Sequence, residues 1–192
     1  FYLVHESMLE SVLKARDRWL KPAGLMLPQS AKVFAAVVEA EDLRQDIESL
    51  GDVHGLDLSA LGRSAMGARC GSPQIEMIDN SRLLADPIEI VSWPDLRTLP
   101  VGASSGMSAE ANFKTTRSGV AAAIAFWFDV GFGDSDVPKD SDIVLSTSPA
   151  AKATHWKQTL VYLGDFVQVP VGEWLPVNLA LDQSTDNPRH YH

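Results

Sequence analysis

Two short segments hold the residues whose types and spacing could do chemistry. Glu6 follows the apolar stretch Phe1-Tyr2-Leu3-Val4-His5 and stands directly before Ser7, which is placed to cap a helix. A carboxylate at that point lies at the positive end of the helix dipole and can accept backbone N–H bonds. It is either a solvated capping residue or a carboxylate held ready for a cation. A guanidinium, with its planar fork of donors, is the cation that two carboxylate oxygens fit best. Thr154-His155-Trp156 forms the second segment, in a loop between Pro149 and a strand that begins near Gln158. A tryptophan beside a histidine at a loop tip is costly if merely exposed. Either the pair lines a binding surface, or Trp156 fills a barrel edge while His155 bonds backbone.

Other chemistries lack their residues. There is no GxGxxG or GxxxxGKS/T phosphate loop and no GxSxG elbow. None of the histidines (His5, His54, His155, His190, His192) has a histidine partner four residues away, so no metal site is expected. Cys70 is the single cysteine, which excludes an internal disulfide and a cysteine-based zinc site and favours a reducing compartment. Its expected state is a half-buried, inert thiol. The 192 residues carry 16 Lys+Arg against 25 Asp+Glu, a formal charge of -9. That balance suits a basic partner and argues against nonspecific nucleic-acid binding, which needs a basic footprint. The longest apolar run, Val120 to Phe128, is too short to span a bilayer, and no signal peptide is visible. The start at Phe1, in an apolar run, is read as the cut end of a fragment.

The elements that must position these residues can be read in order. Residues 7–20 carry Met8, Leu9, Val12, Leu13, Ala15 and Trp19 at three- and four-residue spacing, which predicts a helix with one buried face. Ser7 and Glu10 have the spacing of a capping box, and Lys21-Pro22-Ala23-Gly24 ends the helix. Leu25–Leu27 reads as a short strand stopped by Pro28, and Lys32–Glu39 as a longer one. Glu41–Leu50 and Leu58–Ala68 read as a helical insertion whose apolar face, including Leu43, Ile47 and Leu50, must pack on something. The remainder is strand-rich: Gln74–Ile78, Ile88–Trp93, Glu110–Thr116, Val120–Phe132, Ile143–Ser146, Gln158–Leu163, Phe166–Val169 and Val177–Leu181. Glycine and proline turns separate these strands, the pattern of a sandwich or barrel. Gly133–Asp142 is an acidic loop.

The run Phe1–Leu9, continuing through Ala15-Arg16-Asp17-Arg18-Trp19-Leu20-Lys21-Pro22-Ala23-Gly24 to Pro28, resembles the protein arginine methyltransferase family. So does Leu145-Ser146-Thr147-Ser148-Pro149 followed by Thr154-His155-Trp156-Lys157-Gln158-Thr159. Trp127-Phe128-Asp129-Val130 and His54-Gly55-Leu56-Asp57-Leu58-Ser59 match in order. The resemblance spans nearly the whole chain, is weak over residues 72–120, and departs at Arg117-Ser118-Gly119-Val120.

The resemblance implies a mainly β fold with an α insertion: a β-barrel domain with a helical dimerisation arm, preceded by the tail of a Rossmann-like domain that binds S-adenosylmethionine. Residues 1–28 would be that tail, 29–192 the barrel domain and 43–68 the arm. Pro28 matches a junction proline that is cis in the family. Glu6 matches the second carboxylate of a double-glutamate loop, whose first member would precede Phe1. His155 matches a catalytic histidine whose acidic partner also lies upstream. Met8, Thr154 and Trp156 would be substrate-binding; Met8 is alternatively a core methionine. The cofactor, S-adenosylmethionine, would be bound by residues upstream of Phe1. The parent would be a homodimer acting on arginine-rich proteins such as RNA-binding proteins or histones, in the cytoplasm, the nucleus or both, and would make asymmetric dimethylarginine. The fragment alone would be inactive, with a final barrel strand missing after His192. The alternative is a noncatalytic scaffold that activates a paralogous enzyme.

Overall fold

The computed structural model describes residues 3–133 and 143–191, so most of the acidic loop lies outside the described residues. A 3-10 turn at His5–Ser7 leads into α1 (Met8–Trp19). Then come β1 (Ser30–Glu39), α2 (Glu41–Ser49), α3 (Ser59–Cys70), β2 (Gln74–Glu76) and β3 (Ile88–Trp93). The rest of the chain is β4 (Gly106–Lys114), β5 (Gly119–Phe132), β6 (Ile143–Ser146), β7 (Gln158–Val169) and β8 (Trp174–Asp182).

The long apolar run becomes the central strand. β5 is flanked by β1 and β7 in a sheet of order β2-β7-β5-β1-β3, with β6 also on β5. Ala121 to Ala125 are all buried, because the small side chains let apolar layers close on both faces. β4 and β8 form a second, two-stranded sheet, from Gly106 opposite Asp182 to Lys114 opposite Trp174. Phe113 of β4, Val37 and Val169 share one buried cluster between the sheets. The fold is therefore mainly β with an α insertion, as expected. Its hydrogen-bond ladders among the described residues form two facing sheets rather than one closed circuit.

Three expectations are corrected. Leu25–Leu27 pairs with no strand: Met26 turns into the cluster of Leu9 and Leu13, while Leu25 and Leu27 stay exposed. The Leu27–Pro28 bond is cis. Gln158–Leu163 and Phe166–Val169 are one strand, β7. Its register on β5 jumps from Ala123 opposite Tyr162 to Ala121 opposite Val167, so residues 163–166 bulge outward. Gly164, at φ +90°, supplies the left-handed residue that this bulge needs. β4 starts at Gly106 rather than Glu110, because its partner strand is paired along its whole length.

The insertion is a helical pair laid on the larger sheet. Leu43 and Ile47 of α2 and Met66 of α3 pack against Val38, Trp127 and Leu160. Gly62 brings the helices close: a Cβ there would meet Ile47 Cγ2 at 3.0 Å and Leu50 Cδ1 at 3.3 Å. The tip turns through His54 (φ +55°) and Gly55 (φ +83°), and Asp52 Oδ1 accepts the Gly55 N–H at 2.8 Å. No helix among the described residues is long and apolar enough to cross a membrane.

Candidate functional site

Glu6 lies on the 3-10 turn before α1, in left-handed backbone (φ +64°), as does Ser7 (φ +55°). Ser7 stands at the N-cap position of α1, as the sequence suggests, but its side chain caps no helix N–H, and its Oγ donates instead to the Pro188 carbonyl. Glu6 N–H donates to the Arg189 carbonyl at 2.9 Å, and Arg189 Nη2 donates to Glu6 Oε1 at 2.9 Å. The carboxylate keeps half of its exposure, 51%, so it is open to solvent on one side.

Glu10 is also not a capping-box partner. It is buried, at 7% exposure, and accepts from Ser104 Oγ at 2.7 Å and from the Gly102 N–H at 2.9 Å. A buried carboxylate needs such donors, and this one ties α1 to the loop before β4. Only Leu9, Glu10 and Leu13 of α1 are buried. Met8, the first residue of α1, is 63% exposed.

The Thr154–Trp156 loop is fastened from below. Thr147 Oγ1 donates to the Phe128 carbonyl at 2.9 Å and accepts the Phe128 N–H at 3.0 Å. Gln158, 3% exposed, donates to the Thr147 carbonyl at 2.8 Å and accepts the Ile78 N–H at 2.9 Å. These bonds fix both feet of the loop on β5 and β7. At its tip the His155 and Trp156 rings lie 3.9 Å apart between centroids, and Trp156 meets Phe128 edge-on at 5.8 Å. His155 is exposed, and Thr154 Oγ1 is buried without a hydrogen bond among the described residues.

The two segments meet through the core rather than by direct bonds. Val4, two residues before Glu6, belongs to the same buried cluster as Phe128, the ring beneath Trp156. Among the described residues no hydrogen bond or ion pair joins Glu6 to Thr154, His155 or Trp156. Beside the loop, burial pushes the Asp129 carboxyl above its usual range, against the opposing pull of Ser146 and Lys32. Among the described residues no group of three or more metal-ligating side chains is present.

Sequence reasoning marked Arg117 as a departure from the family pattern but gave it no role. Its guanidinium donates to Glu39 Oε2 at 2.9 Å, the Ser81 carbonyl at 2.6 Å and the Leu83 carbonyl at 3.1 Å, bracing the start of β5 against the end of β1. A Cβ on Gly119 would meet Leu84 Cδ2 at 2.6 Å. Arg117-Ser118-Gly119 thus has a packing reason to depart from the family pattern.

Residues 29–192 match the family model described as the arginine methyltransferase oligomerization subdomain. The chain belongs to the protein arginine methyltransferase family. It is 32% identical over 194 residues to protein arginine N-methyltransferase 6 of Xenopus tropicalis, covering 99% of this chain and 55% of that protein. It is 31% identical over 220 residues to "Probable protein arginine N-methyltransferase 6" of Arabidopsis thaliana, covering 98% and 50%. The chain thus spans about half the length of the curated relatives it matches. Its fold is similar to the Trypanosoma brucei PRMT1 enzyme–prozyme heterotetrameric complex with AdoHcy, at TM-score 0.81 and 23% identity over 100% of this chain and 58% of that one. A crystal structure of PRMT6 aligns at TM-score 0.71 and 28% identity, over 100% and 63%. As a member of the arginine methyltransferases, the chain carries its Thr-His-Trp loop on the subdomain whose family description is oligomerization, while Glu6 precedes the matched residues.

Proposed function

We propose that the chain is the C-terminal part of a parent enzyme that methylates guanidino nitrogens of protein arginines, giving asymmetric dimethylarginine. The observation that carries this reading is that Val4, two residues before Glu6, and Phe128, the ring that Trp156 meets edge-on, share one buried cluster. In it, Glu6 takes the substrate guanidinium by charge-assisted hydrogen bonds, and Trp156 offers a ring face to the same cation. Met8 and Thr154 border the substrate, and His155 is the catalytic histidine, whose acidic partner lies upstream of Phe1 in this reading. Arginine stays cationic until it reacts, so the site supplies alignment of a nitrogen rather than its prior deprotonation.

S-adenosylmethionine is the methyl donor in this reading, and when bound it supplies an electrophilic methyl group. Glu6, His155 and Trp156 offer one carboxylate and two rings, groups that suit a guanidinium. The 192 residues alone are expected to be inactive. Saturable S-adenosylmethionine binding by the isolated chain would contradict that. Residues 1–28 end the donor-binding domain in this reading, and the arm at 43–68 pairs two subunits. The substrates are arginine-rich proteins, and the parent acts in the cytoplasm, the nucleus or both.

The test uses the full-length parent with S-adenosylmethionine and an Arg/Gly-rich peptide, read by mass spectrometry beside Glu6→Gln. Asymmetric dimethylarginine that falls by about a hundredfold or more in the variant supports the reading, on the scale of losing one preorganised charged contact. No methylarginine from a folded parent overturns it in favour of a noncatalytic scaffold.

A further inference from the structure

Glu6 is held by an unusual neighbour for a substrate-binding carboxylate. Leu3, Glu6 and Ser7 all take left-handed backbone, at φ +65°, +64° and +55°. Such backbone is uphill for residues other than glycine and persists only where the surroundings over-determine it. The segment after β8 does this. It returns on itself, with Gln183 bridged to Tyr191 and Ser184 N–H donating to the His190 carbonyl at 2.8 Å. Tyr191, 9% exposed, sinks into the cluster that holds Val4. Gln183 Nε2 donates to Ser7 Oγ at 2.8 Å, and the Pro188 carbonyl accepts Ser7 Oγ–H. Arg189 then grips Glu6 twice, by its carbonyl on the Glu6 N–H and by Nη2 on Oε1, each at 2.9 Å.

We propose that Arg189 is a positioning residue for Glu6: it fixes the turn and occupies Oε1, leaving Oε2 for the incoming guanidinium. Among the described residues Oε2 accepts no hydrogen bond. An unpaired carboxylate on a flexible side chain swings between rotamers, whereas one anchored through a single oxygen presents the other in a fixed place. The contact is exposed, at 64% for the Arg189 side chain and 51% for that of Glu6, so it contributes little to folding. Its value lies in aim. A small misplacement of a catalytic group can cost on the order of a hundredfold in rate.

The inference rests on the arginine-methyltransferase reading, and the experiment separates the two. Steady-state kinetics of the full-length parent on an Arg/Gly-rich peptide compare wild type, Arg189→Ala and Arg189→Lys, with melting temperatures of all three. The expected result is a kcat that falls by about tenfold to a hundredfold in Arg189→Ala, with KM and melting temperature nearly unchanged. Arg189→Lys, which keeps the charge, restores most of the loss. Wild-type turnover with an Arg189→Ala kcat within about twofold of it overturns the proposal alone. A lowered KM in Arg189→Ala also overturns it, because Arg189 would then compete with substrate. Absence of turnover in the wild type overturns the reading beneath it. If Arg189→Ala fails to fold, Arg189→Gln against Arg189→Lys decides: equal kcat values contradict a role for the charge.

Discussion

The two segments of the proposed site are held by opposite means. The Thr154–Trp156 loop stands on buried bonds: Thr147 clasps Phe128, and Gln158 bridges Thr147 to Ile78 beneath it. The Glu6 turn is held from outside, by left-handed backbone and by contacts to the segment after β8 at the surface. Removing a buried polar partner strands the other group without water, whereas removing an exposed one lets water replace it. Damage to the loop's footing should therefore appear as lost stability, and damage to the turn's outer contacts as lost rate. A strained, externally held carboxylate is what a site needs where precise aim matters and the scaffold does not depend on it.

Gln158→Ala attacks the loop's footing most directly. It leaves the Ile78 N–H and the Thr147 carbonyl buried without partners, at a cost of about 2–4 kcal/mol. Thermal unfolding should then shift down by about 5–15 °C, and a shift within experimental error would break the comparison at its stronger side. Glu10→Ala is intermediate, because α1 follows the Glu6 turn yet is tied to the loop before β4 by a buried carboxylate. The loss of its bonds to Ser104 and Gly102 should cost about 1–3 kcal/mol and lower activity as well. Calorimetry with kinetics on the same sample checks both; unchanged stability would mean that α1 is not held through Glu10.

Asp129→Asn gives the smallest effect, with a sign set by burial. The folded-state carboxyl lies above its ordinary range, so the native state binds its proton more tightly than the unfolded chain. Its stabilising contribution is complete below the ordinary carboxylate range and is lost as pH rises through the raised folded value. Asparagine removes that loss, so the variant should melt higher than wild type at about pH 8, with the advantage fading towards about pH 4. An advantage independent of pH would point to a packing change instead.

Much of the scaffold is legible in the sequence because its signals are local. The small apolar run of β5, the paired helices around Gly62 and the strand at Ile88–Trp93 each state their own periodicity. What escapes is set by partners far along the chain. Glu10 has the spacing of a capping box, yet its ligands are Gly102 and Ser104. Gly164-Asp165 reads as a turn between strands, but the shifted register on β5 makes it a bulge within one. Glu6 and the Thr-His-Trp loop stand out by residue type alone. Arg189 and Arg117 do not, because a surface arginine has no local mark of the carboxylate or carbonyl it will meet.

The claim that these two differently held segments form one guanidinium site is tested most directly by hydrogen–deuterium exchange. The full-length parent would be compared with and without an Arg/Gly-rich peptide, in saturating S-adenosylhomocysteine throughout. The account predicts slowed exchange on peptide binding in both residues 3–8 and 154–157, with little change in the arm. Slowing in neither segment, or in the arm alone, would contradict it.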